Sequence, residues 1–178
     1  IVNITGSTLF LIGEAGIMGG TYNLSNNAVM QVEGTGGYTM NAVAVQGTGT
    51  FALNNSTVVL TGSTSTISSN VTLKMTGTSA FNEGSLLVNG RFDWYQGALR
   101  SHVWLRNETY MDGPGQKEIN PTSTEGIVTN TGTVHWREGI FYIGNHGGGP
   151  QNYFVNASNG MFNVEASVVM NGDNCGHF

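Results

Sequence analysis

Charge and helix-forming residues are both scarce. Only 10% of the 178 residues are charged, with 6 Lys and Arg against 11 Asp and Glu and a net charge of −5. Ser, Thr and Asn fill the places that Lys, Glu and Arg usually take. A shortage of Ala, Leu, Glu and Lys argues against helices. Val, Thr, Phe, Tyr and Ile at alternating positions favour strands instead. Six scattered cations cannot track a phosphate backbone, so nucleic acid is excluded as a partner. No run of eighteen apolar residues occurs, which excludes a membrane-spanning helix. The single cysteine, Cys175, cannot close a disulfide within the chain. It reads as a free buried thiol or as one half of a bond made outside this segment, so the compartment stays open.

What is present in excess is glycine, 27 residues against 3 prolines. A hydrophobic content of 39% and an aromatic content of 10% argue for a packed core and against disorder. No linker divides the chain, and 1–178 reads as one domain. It opens at Ile1 without an initiator Met or signal peptide and closes on "GDNCGHF", which reads as a segment of a longer mature protein. Seven sequons begin at Asn3, Asn23, Asn54, Asn55, Asn70, Asn107 and Asn156. Roughly four would arise by chance in a chain this rich in Asn, Ser and Thr, so the excess favours a secreted glycoprotein.

The stretch "VVLTGSTSTISSNVTLKMTG" (58–77) states one phrase twice: apolar, small polar, Gly. The same phrase ends at Gly6, Gly34, Gly47, Gly62, Gly77, Gly90 and Gly172, and Gly20 fills the one early gap. From Gly6 to Gly90 each glycine follows the last by about fourteen positions. A strand-only unit this short cannot bury its apolar face alone, but stacked units can pair backbone with backbone and like with like. The expected fold is therefore all-β: a parallel β-helix, or β-solenoid, of about fourteen-residue strand-turn units. Two such units form one coil, or the solenoid is unusually slim. Gly34, Gly47, Gly62, Gly77 and Gly90 are expected near one line along its axis.

The segments "GRFDWYQGAL" (90–99) and "GTVHWREGIF" (132–141) elaborate the theme. Alternation places Phe92 with Trp94, and Val134 with Trp136, on one face, with the Trp rings stacked inside. His135 then points outward. Strong turn signals, Asp112-Gly113-Pro114-Gly115 and Asn120-Pro121, mark 100–126 as an irregular excursion. "GNHGGGPQN" (144–152) reads as a second, flexible loop.

The segments "VNGRFDWYQGAL" and "VTNTGTVHWREGIF…YFVNASNGMFNV" resemble repeats of large secreted right-handed β-helix surface proteins, such as adhesins, autotransporter-passenger-like proteins and protist surface proteins. The resemblance is good over roughly 80–178 and general before that. It implies an elongated extracellular protein used for structure or attachment, and it brings no catalytic residues.

No P-loop, dinucleotide fingerprint, nucleophile elbow or zinc-spacing motif is present. No cofactor and no metal is expected. His102, His135, His146 and His177 lie far apart in sequence, and "HGGGPQN" lacks the aspartates of a calcium-binding repeat. Asp93 and His135 occupy equivalent places in the two Trp segments, so no acidic pair repeats as glycoside hydrolysis would need, and no enzyme is expected. Tyr95, Trp104, Tyr110 and Tyr142 are the candidate carbohydrate contacts, since an aromatic ring suits the apolar face of a sugar. A groove beside 100–126, lined by Trp104 and Tyr110, is where they would act. "TGS" (61–63) and "TGT" (76–78, 131–133) raise ice binding as a further alternative. The leading expectation is a structural or adhesive rod, secreted or at a cell surface. Its partners would be adjacent copies or a continuation of the same chain, and glycans.

Overall fold

The computed structural model describes residues 1–120, 126–144, 150–172 and 176–178. Among them the backbone is strand, turn and bend, with no helix, and hence none long and apolar enough to cross a membrane. The chain winds as a parallel β-solenoid of about seven turns, successive coils lying about 22 residues apart.

Each coil has three sides. Side one is a stack of eight strands in chain order: Thr8–Ile12, Val29–Glu33, Thr50–Asn54, Thr72–Thr76, Arg91–Trp94, Glu108–Met111, Thr133–Trp136 and Met161–Val164. Sides two and three belong to one thirteen-stranded sheet, because four strands run through the corner between them: Ala15–Leu24, Gly37–Gly47, Ala80–Val88 and Gly97–Leu105. Register shifts between Gly19 and Thr21 and between Asn82 and Ser85 mark this corner. An unpaired extra residue bends a strand sharply there. In the coil between the two continuous pairs the strand is broken, into Thr57–Thr61 and Ser65–Ile67 with Gly62 at φ 71° between them, and in the last three coils sides two and three are likewise separate strands.

Parallel, in-register pairing stacks equivalent side chains into columns. On side one, Leu9, Met30, Phe51, Leu73, Phe92, Thr109, Val134 and Phe162 form one inward column. Leu11, Val32, Leu53, Met75, Trp94, Met111, Trp136 and Val164 form the next. Side two contributes Tyr38, Val58, Phe81, Leu99, Ile119 and Ile143, and side three Leu86, Val103, Val128 and Phe154. All of these except Leu9, Leu11, Thr109, Phe162 and Val164 belong to one buried apolar core. Trp94 and Trp136 lie inside as expected but are not stacked on each other, since Met111 stands between them; each ring meets Phe141 edge-on, at 6.0 Å for Trp94 and 5.7 Å for Trp136.

The glycine spacing is not the coil. Leu9, Met30, Phe51 and Leu73 are successive rungs of the first column, and each step between them is one full coil. An interval of about fourteen positions spans two sides of three, so the beat visits each corner in turn and returns to its first corner after two coils. Gly34 and Gly77 share the corner that closes side one, since Glu33 and Thr76 precede them in a common register column through Asn54. Gly62 stands with Ala42 between sides two and three, next to the paired Asn41 and Thr61. Gly47 and Gly90 belong to the stretch between sides three and one. The five glycines therefore fall on three lines, because every corner of the coil, and not every coil, requires a special residue.

The region 100–126 is also more regular than its turn signals suggest. Gly97–Leu105, Glu108–Met111 and Gln116–Ile119 all pair within the sheets. The coil around them is short, but its ladder is intact: the first column steps from Phe92 straight to Thr109, a smaller step than any before it. Residues 121–125, most of the expected loop at 144–152, and Cys175 lie outside the described residues.

Candidate functional site

Among the described residues, all five ion pairs lie along the outward face of side one. Asp93, Tyr110 and His135 are consecutive rungs of one outward column, as the equivalence of the two Trp segments implied. Arg91 donates to Asp93 at 2.6 Å. His135 reaches Glu108 of the preceding coil through Nε2 at 2.6 Å and Glu165 of the following coil through Nδ1. Arg137 donates to Glu165 at 2.8 Å and lies 3.8 Å from Asp112. Tyr110 stacks on the His135 ring at 4.9 Å, with the guanidinium carbons of Arg91 and Arg137 each 4.4 Å from its ring centre.

This network sets the protonation of its members. Partial burial opposes charge on His135, but hydrogen bonds to Glu165 and Glu108 outweigh it and raise the imidazole above its ordinary value. The bonds from His135 and Arg137 hold Glu165 below the ordinary carboxylate range. The imidazole separates the two carboxylates, so each ring nitrogen serves one of them. Among the described residues no group of three or more His, Cys, Asp or Glu is placed to hold a metal. The arrangement can tie four successive coils together along one face. His135 was legible as an outward residue. Glu108, Arg137 and Glu165 were not, because their meeting depends on how much chain lies between Thr109 and Val134 and between Val134 and Phe162.

A second charged group is buried. Lys117 stands in an inward column between Gly97 and Phe141 and is fully shielded from solvent. Its ammonium donates to the carbonyls of Gly113 at 2.5 Å, Gly115 at 3.0 Å and Glu138 at 3.0 Å. Burial lowers its pKa to about 8, against the opposing pull of Glu138 and Asp112. It pins the Gly113-Pro114-Gly115 turn to the next coil.

The candidate sugar contacts do not converge. Tyr142 is buried at 7% exposure. Tyr110 is half-buried, its ring flanked by Arg91, Arg137 and His135. Tyr95 packs beside the Lys74 ammonium, 5.3 Å from its ring centre, and along Gly113. Trp104 is on side three, paired between Leu87 and Thr129, so it lies within the ladder and on a different face from Tyr110. Thr61, Thr76 and Thr131 fall on three different corners and form no single row.

The sequons divide by engagement. The amide nitrogens of Asn23, Asn54, Asn55 and Asn156 donate to Asn3, Glu33, Asn54 and Gly160 respectively. Asn70 and Asn107 are exposed on the corner that leads into side one. No known protein family matches the sequence, and no curated protein or solved structure matches it either.

Proposed function

We propose that the protein is an extracellular structural or adhesive rod, a subunit of a filament or surface appendage covered end to end by polypeptide of its own kind. The observation that carries this reading is the chemistry of the two end coils. Ile1, Phe10, Ile12 and Ile17 are exposed on the first, at 91%, 51%, 69% and 83%. Met161, Val164, Val169 and Phe178 are exposed on the last, at 56%, 57%, 52% and 63%. These side chains frame the outermost strands Thr8–Ile12 and Met161–Val164, whose outer edges have no neighbour among the described strands. An open, apolar parallel edge is a template for another strand. One rung beyond Met161–Val164, a continuation of the same chain or the strand Thr8–Ile12 of an adjacent copy would extend the ladder; in the second case Leu9 sets on Phe162 and Leu11 on Val164, so both inward columns continue. Repetition of that contact is head-to-tail and builds an open filament.

Sedimentation and negative-stain microscopy over a concentration series test the reading. Elongated particles that lengthen with concentration are expected, and Ile17→Lys with Val164→Lys should shorten them without changing the strand signal in circular dichroism. Particles that stay monomeric throughout, in parent and variant alike, overturn the assembly. Expression through a secretory pathway tests the extracellular part: Asn70 and Asn107 should carry glycan ahead of Asn23 and Asn54 by peptide mass spectrometry. Bare sequons throughout would count against it.

A further inference from the structure

Four aromatic residues are candidates for contact with a sugar, and three are occupied by the protein itself. Tyr142 is buried, Tyr110 is flanked by two guanidiniums and an imidazole, and Tyr95 lies against Lys74 and Gly113. Trp104 differs. It projects from side three and is partly exposed, as Tyr95 and Tyr110 also are, but it meets the His102 ring edge-on at 6.5 Å where those two rings lie against cations. Trp94 and Trp136 are 0% and 2% exposed, so Trp104 is the one tryptophan of three that reaches solvent.

Trp104 forms a wall of a hollow of about 270 Å³, shared with Thr64, Thr66, Leu87 and Arg106. Pairing explains the lining. Thr66, Leu87 and Trp104 are successive rungs of one outward column, so a hydroxyl, an apolar side chain and an indole follow each other up the face. Arg106 follows the strand Gly97–Leu105 and stands at the rim. Of the six Lys and Arg residues, Arg91 and Arg137 are held by carboxylates, Lys117 by carbonyls and Lys74 by Tyr95. Arg100 lines a separate hollow with Glu118. Among the described residues neither Arg100 nor Arg106 has such a partner; of the two, Arg106 is exposed and lines the hollow beside Trp104, whereas the Arg100 Nε is buried. An apolar patch bearing an indole, edged by hydroxyls and one unpaired guanidinium, matches the composition of a small-molecule site. An aromatic face takes the C–H face of a pyranose, hydroxyls meet its rim, and a guanidinium prefers a carboxylate.

We propose that this hollow binds a pyranose carrying an acidic substituent, with the ring on Trp104, ring hydroxyls toward Thr64 and Thr66, and the acid toward Arg106. The inference gives the adhesive part of the function above a ligand class and rests on that reading. The sugar can be free in solution or the terminal residue of a glycan; both present the same chemistry.

Tryptophan emission reads the site directly, because the other two indoles are shielded from solvent. Titration with glucuronate and with methyl glucoside should shift the emission saturably, glucuronate binding about tenfold more tightly. Acetate alone should not shift it. Arg106→Gln should erase the preference for glucuronate, and Trp104→Ala should abolish binding by calorimetry. Printed glycans ending in an acidic sugar, captured where the free sugar is not, would identify a glycan terminus as the source. The proposal is overturned if no sugar moves the emission, if acetate moves it as much as glucuronate does, or if both variants bind as the parent does. Sedimentation of the same variants keeps the two readings apart: Trp104→Ala and Arg106→Gln should assemble as the parent does.

Discussion

Trp94 and Trp136 stand in the same inward column with Met111 between them, yet their indole nitrogens have different fates. Trp94 Nε1 donates to the Gly97 carbonyl at 3.2 Å, whereas Trp136 Nε1 is buried with no partner. A buried donor without an acceptor carries a desolvation cost that a satisfied one does not. Trp94→Phe should therefore destabilise more than Trp136→Phe, by about 1–2 kcal/mol in denaturant unfolding. Equal losses would show that the two indoles are equivalent in energy as well as in position. At this scale the inward or outward aim of Phe92, Trp94, Val134, His135 and Trp136 was readable from alternation alone. The burial of Lys117 was not, because a lysine within "GQKEI" carries no sign that three carbonyls will converge on its ammonium.

Corners and coil lengths decide the behaviour of the elements. At the approach to side one, a Cβ on Gly90 would lie 2.0 Å from the carbonyl oxygen of Val71 and 2.5 Å from that of Ser68, both backbone atoms of the preceding coil. Gly90→Ala should thus cost about 3 kcal/mol or more in unfolding free energy, as overpacking against backbone does. A loss within experimental error would mean the coils are not that close. On side one, the raised pKa of His135 fixes a pH dependence. Its contribution to stability is complete below its ordinary value of about 6.5 and is lost as pH rises through the folded value. The lowered pKa of Glu165 sets the acid limit: its contribution is present above the ordinary carboxylate value and lost as pH falls through the folded one. His135→Gln should flatten the upper limb, read as hydrogen exchange at Met161–Val164 against pH. An unchanged limb would remove His135 from the contacts that hold the last coil. Glycine spacing exposed the corners in the sequence, but not their number per coil, since a beat that visits three corners in turn looks like a single corner repeated.

For the whole molecule, the defining property is that equivalent residues climb an axis by one strand spacing per coil. The fold class was legible because parallel stacking demands the repeated apolar, polar, Gly phrase, and no other packing of so few charges and helix formers needs it. The function was less so, because a solenoid's surface can change without altering the core columns beneath it. One outward column offers a ruler: Thr8, Val29, Thr50, Thr72, Arg91, Glu108 and Thr133 are consecutive rungs of side one. With Cys175 replaced by Ser, spin labels at Thr8 and Thr133 should lie about 29 Å apart by pulsed electron resonance, six strand spacings. Labels at Thr8 and Glu108 should be about 24 Å apart, one spacing less. Separations that fail to rise by one strand spacing from Glu108 to Thr133 would contradict the stacked-coil account.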